Sequence, residues 1–359
     1  MISDASFPFL EKLLNTPGPS GFEIGPARVW RTEAGVVADQ VDADVSGNTL
    51  ATLNPGGSPR VMLAGHIDEI GLIITHIDED GFLYIDGIGG WDSQVVVGQR
   101  LLILTGSGEV IGVVGKKPIH LMKGDEKEKV SKLSDLWVDI GAGSRAETAE
   151  RGVRVGDPAV IDARLARLSD DLIASRSIDN RIGAYVVLEA LRLLAMEESP
   201  PEAQVTAVAT TQEEIGFHGG GARTSAYGLD PHIALVVDVT FASDSPQAEK
   251  KQSGEHKLGG GPVLGRGAAI HPLVFERLAE TASREGIPYT IQANARYTGT
   301  DADAIHLSRA GIATGVISIP NRYMHSPNEI VSLSDVDAAA RLIAAFCKGL
   351  TADSDFVAK

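Results

Sequence analysis

Cysteine is nearly absent from this chain of 359 residues, which contains only Cys347. That residue lies in the apolar stretch "LIAAFCKGL". A single thiol cannot form a disulfide framework or a thiolate metal site within one chain. We therefore expect a reducing, cytoplasmic setting.

Basic residues are also scarce relative to acidic ones. The sequence has 32 lysines and arginines against 48 aspartates and glutamates, which gives a formal charge of −16. Binding to nucleic acid depends on clustered basic side chains that neutralise phosphates, so we exclude nucleic acid as a partner. Bound cations could offset part of the negative charge.

Long hydrophobic runs are missing as well. No window approaches the roughly 18 apolar residues of a membrane-spanning helix. The N-terminal segment also lacks the basic stretch and the continuous apolar stretch of a signal peptide. An apolar content of 43% and a charged content of 22% are typical of a soluble globular protein. We therefore expect neither a membrane anchor nor a signal peptide.

The order of the predicted elements indicates two domains. Strand and helix patterns alternate over residues 164–359, which is typical of an α/β sheet layer. Residues 72–163 instead contain short strand patterns separated by turn signals such as "DEDG" and "GSGE". Single cores rarely grow past about 250–300 residues. We therefore predict one α/β domain from residues 1–71 and 164–359, interrupted by an inserted β-rich domain over residues 72–163.

Three segments have clear end signals. Apolar residues at helical spacing predict a helix over "SFPFLEKLLN", which "TPGPSG" then ends. The stretch "RVMLAGH" is typical of a buried strand ending at His66. The last helix, "SDVDAAARLIAAFCKG", begins with a capping-box pattern formed by Ser332 and Asp335.

Polar side chains recur in and beyond the apolar strand patterns. In open α/β sheets, ligands gather beyond the carboxyl ends of the strands. The residues in such positions are His66 and Asp68 after "VMLAG", Asp179 in "SRSIDN", Glu213 and Glu214 after "QVTAVATTQ", Asp238 in "ALVVDVT", and His325 after "VISIPNRYM".

Each of these residues has an ordinary structural interpretation when taken alone. A single histidine at a strand end is commonly a hydrogen-bonded structural residue, Asp179 could cap a helix, and adjacent glutamates are usually solvated. Together, however, they would form a dense cluster of like charge that is costly unless cations lie between the carboxylates. Nitrogen and carboxylate ligands suit Zn²⁺, Co²⁺ or Mn²⁺, and there are enough carboxylates for two ions.

Spacing also assigns two finer roles. Asp68 follows His66 by two residues, so it can accept the free imidazole N–H and fix the tautomer of the histidine. Glu213 and Glu214 are adjacent, and adjacent residues of a strand point to opposite faces. We therefore expect the two glutamates to divide the work of one site.

Seven segments follow one another in the order and spacing of a known family. They are "LLNTPGPSGFE", "AGHIDEIG", "SIDNRIG", "TQEEIGFHGG", "VVDVT", "YTGTDADAI" and "YMHSPNEI". Over nearly its whole length the chain resembles the tetrahedral aminopeptidases, metallopeptidase family M42, which include proteins named glutamyl aminopeptidase, deblocking aminopeptidase and endoglucanase-like peptidase. The resemblance implies an α/β fold of the di-zinc exopeptidase type with an inserted PDZ-like β-barrel. It also implies an aminopeptidase that removes N-terminal residues from short peptides.

The resemblance further implies a two-metal site, with zinc or cobalt as the ions and manganese as an alternative. Asp179 would bridge the two ions. One ion would be held with Glu214 and His325, and the other with His66 and Asp238.

The resemblance implies that Glu213 is the general base and that Asp68 orients His66. Members of the family assemble through the inserted domain into hollow tetrahedral dodecamers, so we expect a homo-oligomer built from dimers.

Two further segments are ambiguous. His218 follows the glutamates and is assigned no metal role, because a place in the substrate pocket or in solvent is more common for such a residue. The resemblance places Thr300, Asp301 and Asp303 near the active site, although a loop of this composition also suits turn chemistry.

Other functions remain open at this stage. A carboxypeptidase or an N-acyl amino acid deacylase could use the same type of two-metal site. A glycosidase would need two carboxylates around a sugar bond and would leave the histidines without a role. A non-catalytic shell protein is disfavoured because Glu213, which has no ligand role to preserve, is intact.

Overall fold

The computed structural model describes residues 6–216 and 219–357. Its strands are β1 (Gln40–Ala43), β2 (Thr49–Leu53), β3 (Arg60–His66), β4 (Gly71–Ile77), β5 (Leu83–Ile88), β6 (Arg100–Thr105), β7 (Gly108–Gly115), β8 (Trp137–Asp139), β9 (Pro158–Ile161), β10 (Ala166–Arg167), β11 (Leu172–Ser175), β12 (Gln204–Thr210), β13 (Ile233–Phe241), β14 (Val263–Gly267), β15 (Thr290–Asn294), β16 (Ala313–Asn321) and β17 (Glu329–Ser332).

The helices are placed mainly before and after the strands of the α/β layer. They are α1 (Phe7–Asn15), α2 (Ile24–Ala34), α3 (Ser93–Val96), α4 (Arg145–Glu150), α5 (Ile178–Ala195), α6 (Gly220–Leu229), α7 (Lys250–Ser253), α8 (Pro272–Arg284), α9 (Ala302–Ile305) and α10 (Leu333–Lys348). Short 3₁₀ turns cover Ile119–Leu121, Gly124–Lys127 and Leu133–Asp135.

Eight strands form the main sheet in the order β1-β2-β12-β3-β13-β16-β14-β15. The four central strands β12, β3, β13 and β16 are mutually parallel, so their carboxyl ends meet at one edge. In this register, His66 at the end of β3 lies opposite Thr210 at the end of β12. The central strands are buried along nearly their whole length, as expected for parallel strands covered on both faces.

Helix α5 packs closely against the centre of this sheet. A Cβ atom on Gly65 of β3 would lie 2.4 Å from the carbonyl carbon of Gly183 in α5. Glycine is therefore needed on β3 for the helix to approach, and this approach places the N-terminal turn of α5 beside the end of β3.

Strands β4, β5, β8, β7, β6 and β9 close into an antiparallel barrel. The barrel has its own apolar core, which includes Leu72, Leu83, Leu101 and Val138. The predicted fold class, an α/β layer with an inserted small β-barrel, is confirmed.

A small antiparallel sheet of β10, β11 and β17 lies beside the main one. Ser175 at the end of β11 pairs with Glu329 at the start of β17. This pairing brings the segment that follows His325 next to the segment that contains Asp179.

The start of α10 differs from the capping box expected from the sequence. Ser332 precedes the helix, but its side chain does not cap the helix. Its hydroxyl instead donates to Asp171 at 2.6 Å, and the other oxygen of Asp171 accepts the amide of Ser334 at 2.9 Å. Asp335 turns to another partner and accepts the amides of Gly259 and Gly261. The capping-box prediction was wrong because tertiary partners replace both local bonds.

Among the helices of residues 6–216 and 219–357, none combines the length and the apolarity needed to span a bilayer.

Candidate active site

His66 is held at the carboxyl end of β3, and its imidazole is buried. Nε2 lies 3.3 Å from Oδ1 of Asp179, and Nδ1 lies 3.3 Å from Oδ1 of Asp68. The contact with Asp68 is electrostatic rather than a well-aligned hydrogen bond. Burial by itself would raise the pKa of Asp68, but the contact with His66 lowers it, so the carboxylate stays charged.

Asp179 follows β11, at the start of α5, where its own backbone is extended rather than helical (φ −76°, ψ 109°). Its Oδ2 lies 3.4 Å from Nε2 of His325, while its Oδ1 faces His66. Burial would raise the pKa of Asp179, but the hydrogen bonds from His325 and His66 outweigh burial and lower it. One carboxylate therefore lies between two histidines, which is the position of a bridging ligand.

Glu213 and Glu214 come after the end of β12, in a turn in which Gln212 has a left-handed backbone (φ 61°). The alternation of faces along a strand therefore does not govern their directions. Asp68 instead fixes both backbones: it accepts the amide of Glu213 at 3.3 Å and the amide of Glu214 at 3.1 Å.

The side chains of the two glutamates reach different histidines. Oε2 of Glu214 lies 3.4 Å from Nε2 of His325, whereas Oε2 of Glu213 lies 3.8 Å from Nε2 of His66. The side chain of Glu214 is 5% exposed and that of Glu213 is 19% exposed. Both glutamates thus serve one site, and Glu213 is the one more open to the adjoining cavity.

Asp238 projects from β13 towards the same place. Its Oδ1 lies 3.9 Å from Nε2 of His66 and accepts the amide of Val239 at 2.8 Å. The ligand atoms of His66, Glu213 and Asp238 lie within 4.8 Å of one another, as do those of His66, Asp179 and Glu214.

His325 has a left-handed backbone (φ 58°) beyond the end of β16. Its Nδ1 lies 2.8 Å from the carbonyl oxygen of Gly90, which follows β5 of the barrel. Because a carbonyl can only accept, Nδ1 carries the proton and Nε2 is left free to face Asp179 and Glu214. The barrel thus helps to set the tautomer of a site residue.

The electrostatics of the cluster favour bound cations. Burial, followed by the charges of neighbouring carboxylates, raises the pKa of Glu213 and of Glu214 well above its usual range, although His66 partly opposes this. Burial also raises the pKa of Asp238 to about 8. Oε1 of Glu214 is buried and has no hydrogen-bond partner among the described residues. Mixed imidazole and carboxylate donors, crowded and incompletely paired, fit divalent metal ions.

Sequence reasoning missed Glu329, which is buried beneath the site. Its Oε2 accepts the amide of Asp179 at 2.9 Å, and its Oε1 accepts the amide of His325 at 2.8 Å. Burial, and then the charge of Asp179, raises the pKa of Glu329 well above its usual range. The signal that could have revealed it is its position four residues after His325 at the start of an apolar strand.

A buried ion-pair group supports the other side and was also missed. Oε1 of Glu69 lies 2.8 Å from Nη2 of Arg181, and its Oε2 contacts Arg176. Arg181 also donates to the carbonyl oxygens of Ile67 and Leu13 at 3.0 Å. This group joins α1, α5 and the loop after β3. The charged residues next to His66 and Asp179 in the sequence were its available signal.

The ambiguous residues of the 298–303 segment separate by environment. Asp301 is buried and accepts a hydrogen bond from the hydroxyl of Thr210, and burial raises its pKa to about 6. Asp303 accepts the amides of Thr298 and Gly299, both at 2.8 Å, which is turn chemistry. Thr300 lines the cavities beside the glutamates. His218 lies outside the described residues.

Comparison with known proteins places this geometry in a family. Residues 47–342 match the family model described as M42 glutamyl aminopeptidase. The chain is 38% identical over 344 residues to the lysyl aminopeptidase of Pyrococcus furiosus, and the match covers 95% of this chain and 96% of that protein.

Solved structures agree with this match. A TET aminopeptidase from a marine sediment Thaumarchaeota archaeon superposes with a TM-score of 0.92 at 34% identity, covering 97% of both chains. The TET1 peptidase of Pyrococcus horikoshii gives a TM-score of 0.84 at 32% identity, covering 96% of this chain and 99% of that one. The chain therefore belongs to the M42 glutamyl aminopeptidase family.

Proposed function

We propose that this protein is a metal-dependent aminopeptidase that removes N-terminal residues from short peptides. The observation that carries the proposal is the placement of Asp179, whose two oxygens lie 3.3 Å from His66 and 3.4 Å from His325. Glu214 accompanies His325 and Asp238 accompanies His66. The cluster therefore has two halves joined by one carboxylate.

In this proposal Asp179 bridges two divalent ions. One ion is held with Glu214 and His325, and the other with His66 and Asp238. Zn²⁺ and Co²⁺ suit these nitrogen and oxygen donors, and Mn²⁺ is an alternative. When bound, the ions supply Lewis-acid chemistry that activates the attacking water and stabilises negative charge on the carbonyl oxygen.

Glu213 is proposed as the general base. It is the more exposed of the two glutamates, and burial raises its pKa above the usual range, which suits a carboxylate that takes up a proton. It would accept the proton of the attacking water and then pass it to the leaving amine. Asp68 acts indirectly, because it orients His66 and holds the amides of both glutamates.

We also propose that residues 1–71 and 164–359 form the catalytic domain and that residues 72–163 form a dimerisation domain. The TET1 peptidase of Pyrococcus horikoshii can assemble into a tetrahedron or a large octahedral shell. Dimers that assemble into a tetrahedral dodecamer are therefore our proposal for this chain, and a sizing column with light scattering tests it. A cytoplasmic location stays a prediction.

The test of function begins with chelated protein to which Zn²⁺, Co²⁺ or Mn²⁺ is returned. We expect hydrolysis of aminoacyl p-nitroanilides only after a metal is returned, and no release of amino acids from N-acetylated amino acids. Hydrolysis of the N-acetylated compounds alone would indicate a deacylase. Activity on cellulose oligomers that is insensitive to EDTA would indicate a glycosidase.

A further inference from the structure

Two cavities meet at the pair of glutamates. The inner cavity, of about 340 Å³, contains the metal-ligand residues proposed above. The outer cavity, of about 950 Å³, lies on the other side and is lined by Arg223, Tyr227, Asp301 and Arg309, among others. Glu213 and Glu214 are the charged residues that line both cavities.

The position of Glu213 assigns each cavity a part of the substrate, if the proposed function holds. A general base must lie within hydrogen-bond reach of the scissile bond, so that bond lies at the boundary between the cavities. The smaller inner cavity then receives the single N-terminal residue. The outer cavity, almost three times as large, receives the part of the peptide that departs, which can be several residues long.

The acidic groups of the outer cavity are already engaged. Glu213 and Glu214 belong to the metal cluster, Asp301 is bonded to Thr210, and Asp303 accepts the amides of its own turn. A peptide carboxylate that enters so acidic a cavity needs a cation to stabilise it.

The outer cavity contains two arginines with different surroundings. Arg309 donates to the carbonyl oxygen of Tyr227 at 2.7 Å, stacks on the ring of Tyr227 at 4.2 Å and pairs with Asp230 at 3.4 Å. Arg223 lies one helical turn before Tyr227 on α6, so the two residues share a face of the helix. Arg223 is exposed, and within residues 6–216 and 219–357 its guanidinium has no hydrogen bond or ion pair.

We propose that Arg223 binds a carboxylate of the departing part of the peptide in the outer cavity. A guanidinium can hold a carboxylate through two parallel hydrogen bonds, which gives both charge and direction. The carboxylate is either the C-terminus of a di- or tripeptide or the side chain of an acidic residue after the scissile bond. The enzyme would therefore favour short peptides with a free C-terminus, or acidic residues in the departing part.

The test uses wild-type enzyme in its metal-loaded form and the N-terminal residue X that gives the fastest p-nitroanilide hydrolysis. The substrates are X-Gly-Gly, X-Gly-Gly-amide and X-Gly-Asp-amide, with X-p-nitroanilide, which has no carboxylate, as the reference. We expect kcat/KM for X-Gly-Gly to exceed that for its amide by about 10-fold, mainly through KM, as a charge-assisted hydrogen bond provides. In Arg223→Ala this ratio should fall towards one, and Arg223→Lys should be intermediate. A gain for X-Gly-Asp-amide over X-Gly-Gly-amide identifies the acidic side chain as a source of the carboxylate.

Arg266→Ala is the matched control, because Arg266 is also an exposed arginine but pairs loosely with Glu276 at 3.6 Å and lies outside the outer cavity. It should keep the wild-type preference. Equal rates for acid and amide in the wild type, or an unchanged ratio in Arg223→Ala, would overturn the role of Arg223 while leaving the aminopeptidase intact. A wild-type enzyme that hydrolyses none of the substrates would instead overturn the proposed function. Equilibrium binding of X-Gly-Gly and its amide to the metal-free protein gives a second readout, in which Arg223→Ala should again abolish the preference for the acid.

Discussion

Glu329 accepts the backbone amide of Asp179 at 2.9 Å through one oxygen, and its other oxygen accepts the amide of His325 at 2.8 Å. A single buried carboxylate thus fixes the backbones of two residues that come from different elements. This bond also connects the small sheet of β10, β11 and β17 to the site.

We predict that Glu329→Gln weakens metal binding without unfolding the protein. The glutamine side chain keeps one acceptor oxygen but turns its NH₂ group towards one of the two amides, so either Asp179 or His325 loses its anchor. Losses of this kind typically cost about 10–100-fold in metal affinity. Metal content after dialysis and the midpoint of metal-dependent activity measure the effect.

Glu276→Gln, which changes a half-exposed glutamate outside the site, is the control. A Glu329→Gln protein that keeps its full metal content and activity would show that the two amide bonds do not position the ligands. A lowered melting temperature with normal metal affinity would also contradict the positioning role.

Asp68→Asn should lower kcat more than it raises KM. The carboxylate of Asp68 faces His66 and also accepts the amides of Glu213 and Glu214, and an asparagine offers only one acceptor oxygen for these contacts. We expect a loss of about 10–100-fold in kcat. Steady-state kinetics on the best p-nitroanilide measure it, and an unchanged kcat would exclude a positioning role for Asp68.

The single thiol should be inert in the folded protein. Cys347 is buried in α10, and burial raises its pKa to about 12, so the reactive thiolate is almost absent at neutral pH. We expect a thiol reagent to label less than about a tenth of the protein in native buffer and one thiol per chain in denaturant. Full labelling of native protein within minutes would contradict the burial of this residue.

Asp335 should make the protein less stable as the pH rises from about 4 to about 6. Burial raises the pKa of Asp335 from 3.8 to about 6, so the folded state holds this proton more tightly than the unfolded chain does. Its stabilising contribution is therefore fully present below about pH 4 and is lost as pH rises through about 6. We expect a loss of about 1–3 kcal/mol in the free energy of unfolding, and Asp335→Asn, which cannot titrate, should lack it.

Urea unfolding of both proteins at pH 4.5 and pH 7 measures the difference. The wild type should lose stability relative to Asp335→Asn between these two values. A difference between the two proteins that does not change with pH would show that Asp335 has the same pKa in the folded and unfolded chains.

The sequence predicted the fold class and the residues that gather at the edge of the sheet. His66, Glu213 and Asp238 could be found because they interrupt or end apolar runs in parallel strands, where the strand direction alone brings them to one edge. This explains why a local pattern was sufficient for residues that are far apart in the chain.

Other features depend on contacts that no local pattern encodes. Glu329 becomes part of the site only through the pairing of β11 with β17, and the tautomer of His325 depends on Gly90 of the barrel. The capping box failed for the same reason, since Asp171 takes the bond that Ser332 and Asp335 were expected to share. The alternation argument for the glutamates failed because β12 ends before them.

The central claim is that Glu213 moves protons while Glu214 holds a metal. The distances alone leave both glutamates close to a histidine, since Glu213 lies 3.8 Å from His66 and Glu214 lies 3.4 Å from His325. Metal stoichiometry and kcat should therefore be measured together for Glu213→Gln and Glu214→Gln. We predict that Glu213→Gln keeps two ions per chain and loses about 10²–10⁴-fold in kcat, whereas Glu214→Gln loses one ion. Loss of metal in Glu213→Gln, with two ions retained in Glu214→Gln, would contradict the account and reverse the two roles.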